Sequence, residues 1–348
     1  MRYVSVDVGK GKCVAAFVDG DGVLVDEFSF ANDFSGIGMF VGRLCEGDMV
    51  VMESTGNLWV NLFELWRARG VKAVLANPLK MKAIASAKIR NDKVDAKVLA
   101  FLLRSGLVAE CYVPPKEVRE LRALVRHRMQ LVRSATIVKN RVHSLLDRYG
   151  VKHGFSDLFG KAGMDWLKKL EVKPLDRLLL DSFIEQVECL KRLIGNVDGE
   201  IGRRASIDGD VRLLLSLTGV NVYSALLIKS EIGDIKRFPN YKKLISWAGL
   251  APLVYQSGSI ERRGHITKQG SAVLRWVMVE CARSAVRFDD KLGEFYERVK
   301  RRRGGQKALV AVACKMLKIV WFMLTRGEPY SSRNSRLYGE KLKRVSGF

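Results

Sequence analysis

The spacing of apolar positions lengthens along the chain, from two residues to the helical repeat and then to a heptad. Tyr3–Val8 alternates and is rich in β-branched residues; Cys13–Val18 follows, and Val23–Phe30 comes after the turn Asp19-Gly20-Asp21-Gly22. Alternation predicts strands, and Asp-Gly between two apolar runs predicts a hairpin, so the first three strands form an antiparallel meander. Phe34–Leu44 reads as a helix leading into a fourth strand, Met49–Met52. Leu58–Arg69 carries Leu58, Leu62, Leu65 and Trp66 at helical spacing and is closed by Gly70. Val71–Leu75 is the fifth strand, ending at Asn77-Pro78, and Met81–Ile89 and Asp92–Leu103 read as helices, the second closed by Gly106.

Three meandering strands followed by helix, strand, helix, strand and helix is the element order of the ribonuclease-H-like fold. Pro114-Pro115 ends that pattern. Glu117 to Tyr149 then contains no Pro or Gly, with Val118, Leu121, Val125, Met129, Val132, Val138, Val142 and Leu145 at helical spacing. After a looser stretch holding Gly150, Gly154, Gly160, Gly163 and Pro174, a second long helix carries Leu180, Ile184, Val187, Leu190, Ile194, Val197 and Ile201, a heptad seam. Two such helices predict an antiparallel coiled-coil arm; the alternative is a helix pair inside one domain. From about Ile207 the pattern is that of a compact helical domain. Leu217-Thr218-Gly219-Val220-Asn221 ahead of an apolar helix resembles a helix-hairpin-helix, whose turn offers N–H groups to phosphate. A polar, Gly-containing loop is expected between Leu250 and Ile266, helices at Ala272–Val286 and Lys307–Leu324, and a loosely held polar tail beyond Gly327. The expected domains are 1–112, 113–205 (the arm), 206–330 and the tail 331–348.

Charge adds a partner class to this outline. The net charge is +23. Residues 1–60 hold four basic side chains against nine acidic ones, net −5, which leaves +28 for the rest. An acidic start followed by a strongly basic body predicts a polyanionic partner, with nucleic acid favoured over anionic membrane because no amphipathic anchor is evident. The apolar stretch Ala308 to Leu324 contains Lys315 and Lys318 and is short for a membrane span. Nothing at the start resembles a signal peptide. The expectation is a cytoplasmic, nucleoid-associated protein with no membrane contact. Six cysteines without a CxxC pair and four unclustered histidines argue against zinc and for buried free thiols.

Against this background the acidic residues stand out. Asp7 lies inside an apolar strand and Glu53 ends the fourth strand in Val50-Val51-Met52-Glu53-Ser54-Thr55-Gly56. With the fourth strand beside the first, both carboxylates converge. Asp92 and Asp95 are three apart on a helix and share a face. Four carboxylates from three elements call for cations, and hard oxygen ligands select Mg2+ or Mn2+, a pair of which can stabilise attacking and leaving oxygens at a phosphodiester. Asp7-Val8-Gly9-Lys10-Gly11-Lys12 also resembles the first phosphate loop of actin-like ATPases, but no second Gly-rich phosphate loop follows. In the later polar loop, Ser257-Gly258-Ser259 is followed by Arg262, Arg263, His265, Lys268 and Arg275, cations suited to holding a phosphate. A serine needs a base or metal to act as a nucleophile, and no local His–Asp pair supplies one. Arg119, Arg122, Arg126 and Arg133 on the first long helix fit contact with a nucleic-acid backbone.

Taken in order, these residues are similar to the IS-one-ten / IS-eleven-eleven group of insertion-sequence transposases, whose relatives include a pilin-inverting recombinase. The N-terminal half resembles its RuvC-like DEDD domain through Asp7 in Val-Asp-Val-Gly, Glu53 in Met-Glu-Ser-Thr-Gly, and Asp92 and Asp95 in Asn-Asp-Lys-Val-Asp-Ala. The C-terminal half resembles its transposase domain through Leu217-Thr218-Gly219-Val220, Trp247-Ala248-Gly249-Leu250-Ala251-Pro252, Ser257-Gly258, Ile266-Thr267-Lys268-Gln269-Gly270 and Leu274-Arg275. The resemblance implies Mg2+ on the four acids, a phosphoserine link to DNA through Ser257 or its neighbour Ser259, and a homo-oligomer, dimer or tetramer, with acids and serine of different subunits meeting. It further implies double-stranded DNA at element ends and target, and for some members a structured noncoding guide RNA. The rival function is a RuvC-like junction endonuclease using metal-activated water.

Overall fold

The computed structural model describes residues 1–348 except Thr55, Arg69, Leu79, 82–91, Gly258, Ser259 and Phe348; side chains at 92–95, 254, 256, 257 and 260–263 also lie outside the description. The expected helix Met81–Ile89 falls largely there. The chain forms two compact units, Met1–Val113 and Pro114–Phe348.

The first unit is built on a mixed sheet. Its strands are β1 (Tyr3–Val8), β2 (Lys12–Val18), β3 (Leu24–Ala31), β4 (Met49–Glu53) and β5 (Lys72–Ala76), in the order β3-β2-β1-β4-β5. β1, β2 and β3 pair antiparallel, whereas β4 runs parallel to β1 and β5 to β4. The β2–β3 turn is held by the Asp19 carboxylate, which accepts from the N–H groups of Asp21 and Val23 at 3.0 and 2.8 Å. The strands' alternation sorts side chains between two faces. Val4, Val6, Val8, Val50 and Met52 pack under α1 (Phe34–Gly42) and α2 (Trp59–Ala68), around Phe40 and Trp66. Val51, Val74 and Ala76 pack on the other face against Leu99 and Leu103 of α3 (Asp92–Arg104). β3 alternates between exposed and half-buried positions because it is an edge strand with one face in water.

The second unit is almost entirely helical. Two 33-residue helices, α4 (Lys116–Arg148) and α6 (Pro174–Ser206), pack antiparallel, each about 50 Å long. Arg128 meets Asp198 at 3.0 Å and Arg148 meets Asp176 at 2.9 Å, which fixes the direction. One end of the pair has its own core, where Val142, Leu146, Leu180 and Ile184 surround Leu158 and Leu167, the latter on α5 (Lys161–Lys169). At the other end Val125, Ile201 and Ala205 join the main core.

That core is formed by α7 (Gly209–Leu215), α8 (Val222–Ile232), α9 (Tyr241–Trp247), α10 (Ala272–Phe288), α11 (Asp290–Arg303) and α12 (Gly305–Arg326). α12 is long and apolar enough to cross a membrane by composition. Here it is the central core helix, with Val312, Ala313, Met316, Leu317 and Val320 fully buried. All six cysteines are free thiols.

Two expectations are corrected. The polar stretch between Leu250 and Ile266 is an antiparallel hairpin, β6 (Pro252–Ser257) with β7 (Ile260–Ile266), rather than a loop. The polar tail within 331–348 is not loosely held. It folds as α13 (Ser335–Ser346), capped by Asn334 and anchored by fully buried Val345. Tyr330, just ahead of it, is also buried and donates its N–H to Ser216 Oγ at 2.9 Å.

Candidate active site

Asp7 and Glu53 owe their relation to the register of β1 and β4. Val6 stands opposite Met52 in the parallel pairing, so the next residues on the two strands are Asp7 and Glu53. Neighbouring strands lie about 4.8 Å apart. Both residues belong to the face that α3 covers: Asp7 is two positions beyond Ser5, and Glu53 two beyond Val51. Ser5 is buried and its hydroxyl donates to the carbonyl of Ala96, directly after Asp95. Asp92 opens α3 and Asp95 lies in its first turn. The backbone thus brings Asp7 and Glu53, at the C-terminal ends of the interior strands β1 and β4, under the helix that bears Asp92 and Asp95. Asp7 and Glu53 are each half-buried and have interactions of their own. Gly9 makes the tight β1–β2 turn: its N–H reaches Lys12 O at 3.1 Å, and a Cβ there would stand 2.3 Å from that oxygen. On β2, burial, augmented by the Asp7 charge, pushes the Cys13 thiol up to about 11.

Among the described residues no group of three His, Cys, Asp or Glu side chains lies close enough together to hold a metal ion; the side chains of Asp92 and Asp95 are outside that set. The donor chemistry nevertheless fits a hard divalent cation. Two carboxylates side by side on a half-buried face form an oxygen-only, anionic set, which Mg2+ or Mn2+ prefers and softer metals do not.

The serine hairpin is rooted by two motif segments that clamp each other. Thr267 N–H donates to Ala251 O at 2.9 Å, Lys268 N–H to Gly249 O at 3.1 Å, and Ser271 N–H to Trp247 O at 3.2 Å. Gly249 and Gly270 take φ of +68° and +98°. A Cβ at Gly270 would stand 1.8 Å from Trp247 O, and one at Gly249 2.5 Å from both Gln269 O and Arg275 Nη1. Trp-Ala-Gly-Leu and Thr-Lys-Gln-Gly are therefore two halves of one backbone joint, with glycine required on each side. Ser257 ends β6, paired with Ile260; Arg262 and Arg263 lie on β7 opposite Tyr255 and Val254. Their side chains, and Ser259 altogether, lie outside the described residues. Lys268 is exposed, whereas Arg275 turns inward and donates to Ala248 O at 3.0 Å.

Three arginines of α4 make bonds within the second unit. Arg126 forms a two-pronged pair with Glu231, Nε to Oε1 at 2.7 Å and Nη2 to Oε2 at 3.0 Å. Arg122 donates to the Ser230 carbonyl at 3.0 and 2.9 Å and to the Glu231 carbonyl at 3.2 Å. Arg119 donates to Pro114 O at 3.1 Å. The first two bind the C-terminal end of α8 to α4. Sequence reasoning missed Glu231, which is 1% exposed and also accepts from Ser271 Oγ at 2.8 Å. A single Glu in an apolar helix gives no sign of this.

The Leu217–Asn221 turn joins α7 to α8, and two of its N–H groups are engaged within the protein. Val220 N–H donates to Leu217 O at 3.1 Å and Asn221 N–H to Ser224 Oγ at 2.8 Å, so neither is left for phosphate. A Cβ on Gly219 (φ +86°) would stand 2.3 Å from Cys281 O, so the turn packs directly on α10.

Residues 4–151 match the sequence model of the DEDD transposases of the IS110 type, and residues 211–297 that of the transposase IS116/IS110/IS902 family. The chain is 27% identical to the transposase for insertion sequence element IS1111A of Coxiella burnetii, across 81% of this chain and 79% of that protein. It is 28% identical to a probable family 20 transposase of Pseudomonas aeruginosa, across 81% and 85%. The corresponding figures for the transposase of IS1328 from Yersinia enterocolitica are 25%, 70% and 74%.

Proposed function

Because the chain belongs to the IS110 family of insertion-sequence transposases and is thereby a DNA transposase, we propose that it cuts and rejoins DNA through a covalent link to Ser257, with Asp7, Glu53, Asp92 and Asp95 holding Mg2+. The observation that carries this reading is the β1–β4 register, which sets Asp7 beside Glu53 on the face covered by α3. The sheet order and the position of these acids at the strand ends also favour a ribonuclease-H-like, RuvC-like first unit. Bound there, Mg2+ would supply charge neutralisation at a phosphodiester.

The chain's own part is positioning and exchange. The serine oxygen forms a bond to phosphorus, the bond from phosphorus to one sugar oxygen breaks, and that sugar leaves as a hydroxyl carrying the proton the serine gave up. A hydroxyl from another strand reverses the step and completes the exchange. Arg262 and Arg263 on β7 supply positive charge for the phosphate. The long helices act as a coiled-coil arm for a homo-oligomer in which acids and serine come from different subunits. A structured noncoding RNA, where the element encodes one, is a second nucleic-acid partner. The protein works where the chromosome is.

Ser257→Ala is the test. Incubated with DNA carrying an element end and then denatured, the native protein should carry labelled DNA and the variant none, while both bind DNA equally. Normal cutting and rejoining by the variant would leave water as the nucleophile and remove the serine from the mechanism.

A further inference from the structure

A cleft at the root of the β6–β7 hairpin has no part in the chemistry assigned to Ser257 and the four acids. Its volume is about 650 Å³. Val310 and Cys314 of α12 form part of its apolar lining, Lys268, Arg303 and Lys307 supply its cationic side chains, and His265 lies among them. Lys300, Arg301, Arg302 and Arg303, at the end of α11, are all exposed. Of these, only Lys300 has an acidic partner among the described residues, Glu297 at 3.0 Å.

Local helix electrostatics accounts for only part of this cluster. Cations are favoured in the last turn of a helix, so the end of α11 is a tolerable place for one or two of them. The cluster continues across Gly304, however, into the first turn of α12, where Lys307 meets the positive end of the helix dipole. α12 also has no side-chain cap. Concentrating like charge here opposes folding, and an anion lying in the cleft would offset that cost. Lys268 adds a second sign of strain. It is the one non-glycine residue with positive φ among the described residues, at 54°, and it is exposed. A left-handed lysine is uncommon, and such conformations gather where a ligand must be met.

We propose that this cleft binds the sugar–phosphate backbone of duplex DNA, flanking the phosphate at Ser257, through Lys268, Arg303, Lys307 and His265. The inference rests on the assignment of Ser257 for its geometry and on the cleft's charge for its ligand. The span of β6 from the cleft to Ser257 is about 17 Å, which corresponds to about five base steps of a duplex. The cleft thus grips DNA about half a helical turn from the cut and orients the attacked phosphate.

The test uses the full chain, a 30-base-pair fluorescein-labelled duplex of arbitrary sequence, and anisotropy between 50 and 200 mM salt. Arg303→Gln/Lys307→Gln should flatten the slope of log affinity against log salt by about 2, close to one unit for each phosphate that is no longer neutralised. Lys343→Gln/Arg344→Gln, an exposed pair on α13, should change it far less. Lys268→Gln, outside both helices, gives an independent reading of about one unit should the double variant fold poorly. An unchanged slope in the double and Lys268 variants, or an equal loss in the α13 control, overturns the proposal. So does a change seen with a duplex RNA and absent with DNA. Covalent capture of DNA is scored separately: a native protein that forms no serine adduct while the slopes shift as expected removes the serine reading and leaves the cleft in place.

Discussion

Glu231 shows how one side chain can join distant parts of a protein. Its carboxylate takes two bonds from Arg126 on α4 and one from Ser271, which caps α10 and closes the joint beneath the serine hairpin. Arg126 is 43% exposed and Glu231 only 1%. The two partners are therefore unequal. Removing the acid leaves a guanidinium that water can reach, whereas removing the arginine strands a carboxylate in the core. Arg126→Ala should accordingly cost about 3 kcal/mol and Glu231→Gln about half as much, since the amide still accepts from Ser271. Urea unfolding followed by circular dichroism checks the order; equal costs, or a larger one for Glu231→Gln, would reject this account. The sequence signals Arg126 as one of a row of basic residues but cannot disclose its partner, because the pairing exists only once α8 has been folded against α4.

At the scale of elements, the strands and long helices were legible because each has a clean repeat: alternation in β1 to β3, and spacing by three and four in α4 and α6. The β6–β7 hairpin was not, because Gln256 to Gly264 is polar and glycine-bearing. Its strands pair with each other, and the residues after β7 bond through the backbone to Trp247, Gly249 and Ala251; such bonds carry no compositional signal. The α13 helix did leave a trace, in Leu337, Lys341, Leu342 and Val345 behind an Asn334 cap, but its overall polarity hid it. Lys341 gives that helix a pH signature. Its Nζ donates to the carbonyls of Leu215 and Leu217 at 3.0 and 3.2 Å, and burial pulls its pKa from 10.5 down to about 8. A lysine depressed on folding releases its proton first in the folded chain, so its contribution to stability rises with pH from about 8. Cys281, Cys13 and Cys314, each pushed up by burial to about 11, act in the opposite sense above 9, because the unfolded thiols ionise first, and three thiols outweigh one lysine. Thermal stability should therefore rise between pH 8 and 9 and fall above it. Lys341→Met should abolish the rise and raise stability at pH 7; a rise that persists in the variant would show that another group is responsible.

At the scale of the whole chain, charge is divided between the two units. Residues 1–113 hold fourteen basic side chains against thirteen acidic ones, net +1, so 114–348 carry +22 of the total +23. The near-neutral unit bears the carboxylates and the cationic unit bears the serine hairpin, so metal affinity and DNA affinity should be separable by mutation. Asp7→Asn/Glu53→Gln tests this without recourse to activity. If these acids hold Mg2+ with a dissociation constant of about 1 mM, then 10 mM MgCl2 stabilises the folded native chain by about 1.4 kcal/mol, a shift of a few degrees in unfolding temperature. The double variant should lose that shift. Its affinity for duplex DNA, measured without Mg2+, should keep the same salt dependence, because the counterions released on binding are displaced by cations of the second unit. Retention of the Mg2+ shift would place the ion elsewhere. A changed DNA slope would mean that the strand ends bearing Asp7 and Glu53 also touch the nucleic acid, and that the two functions are not divided as the charge is.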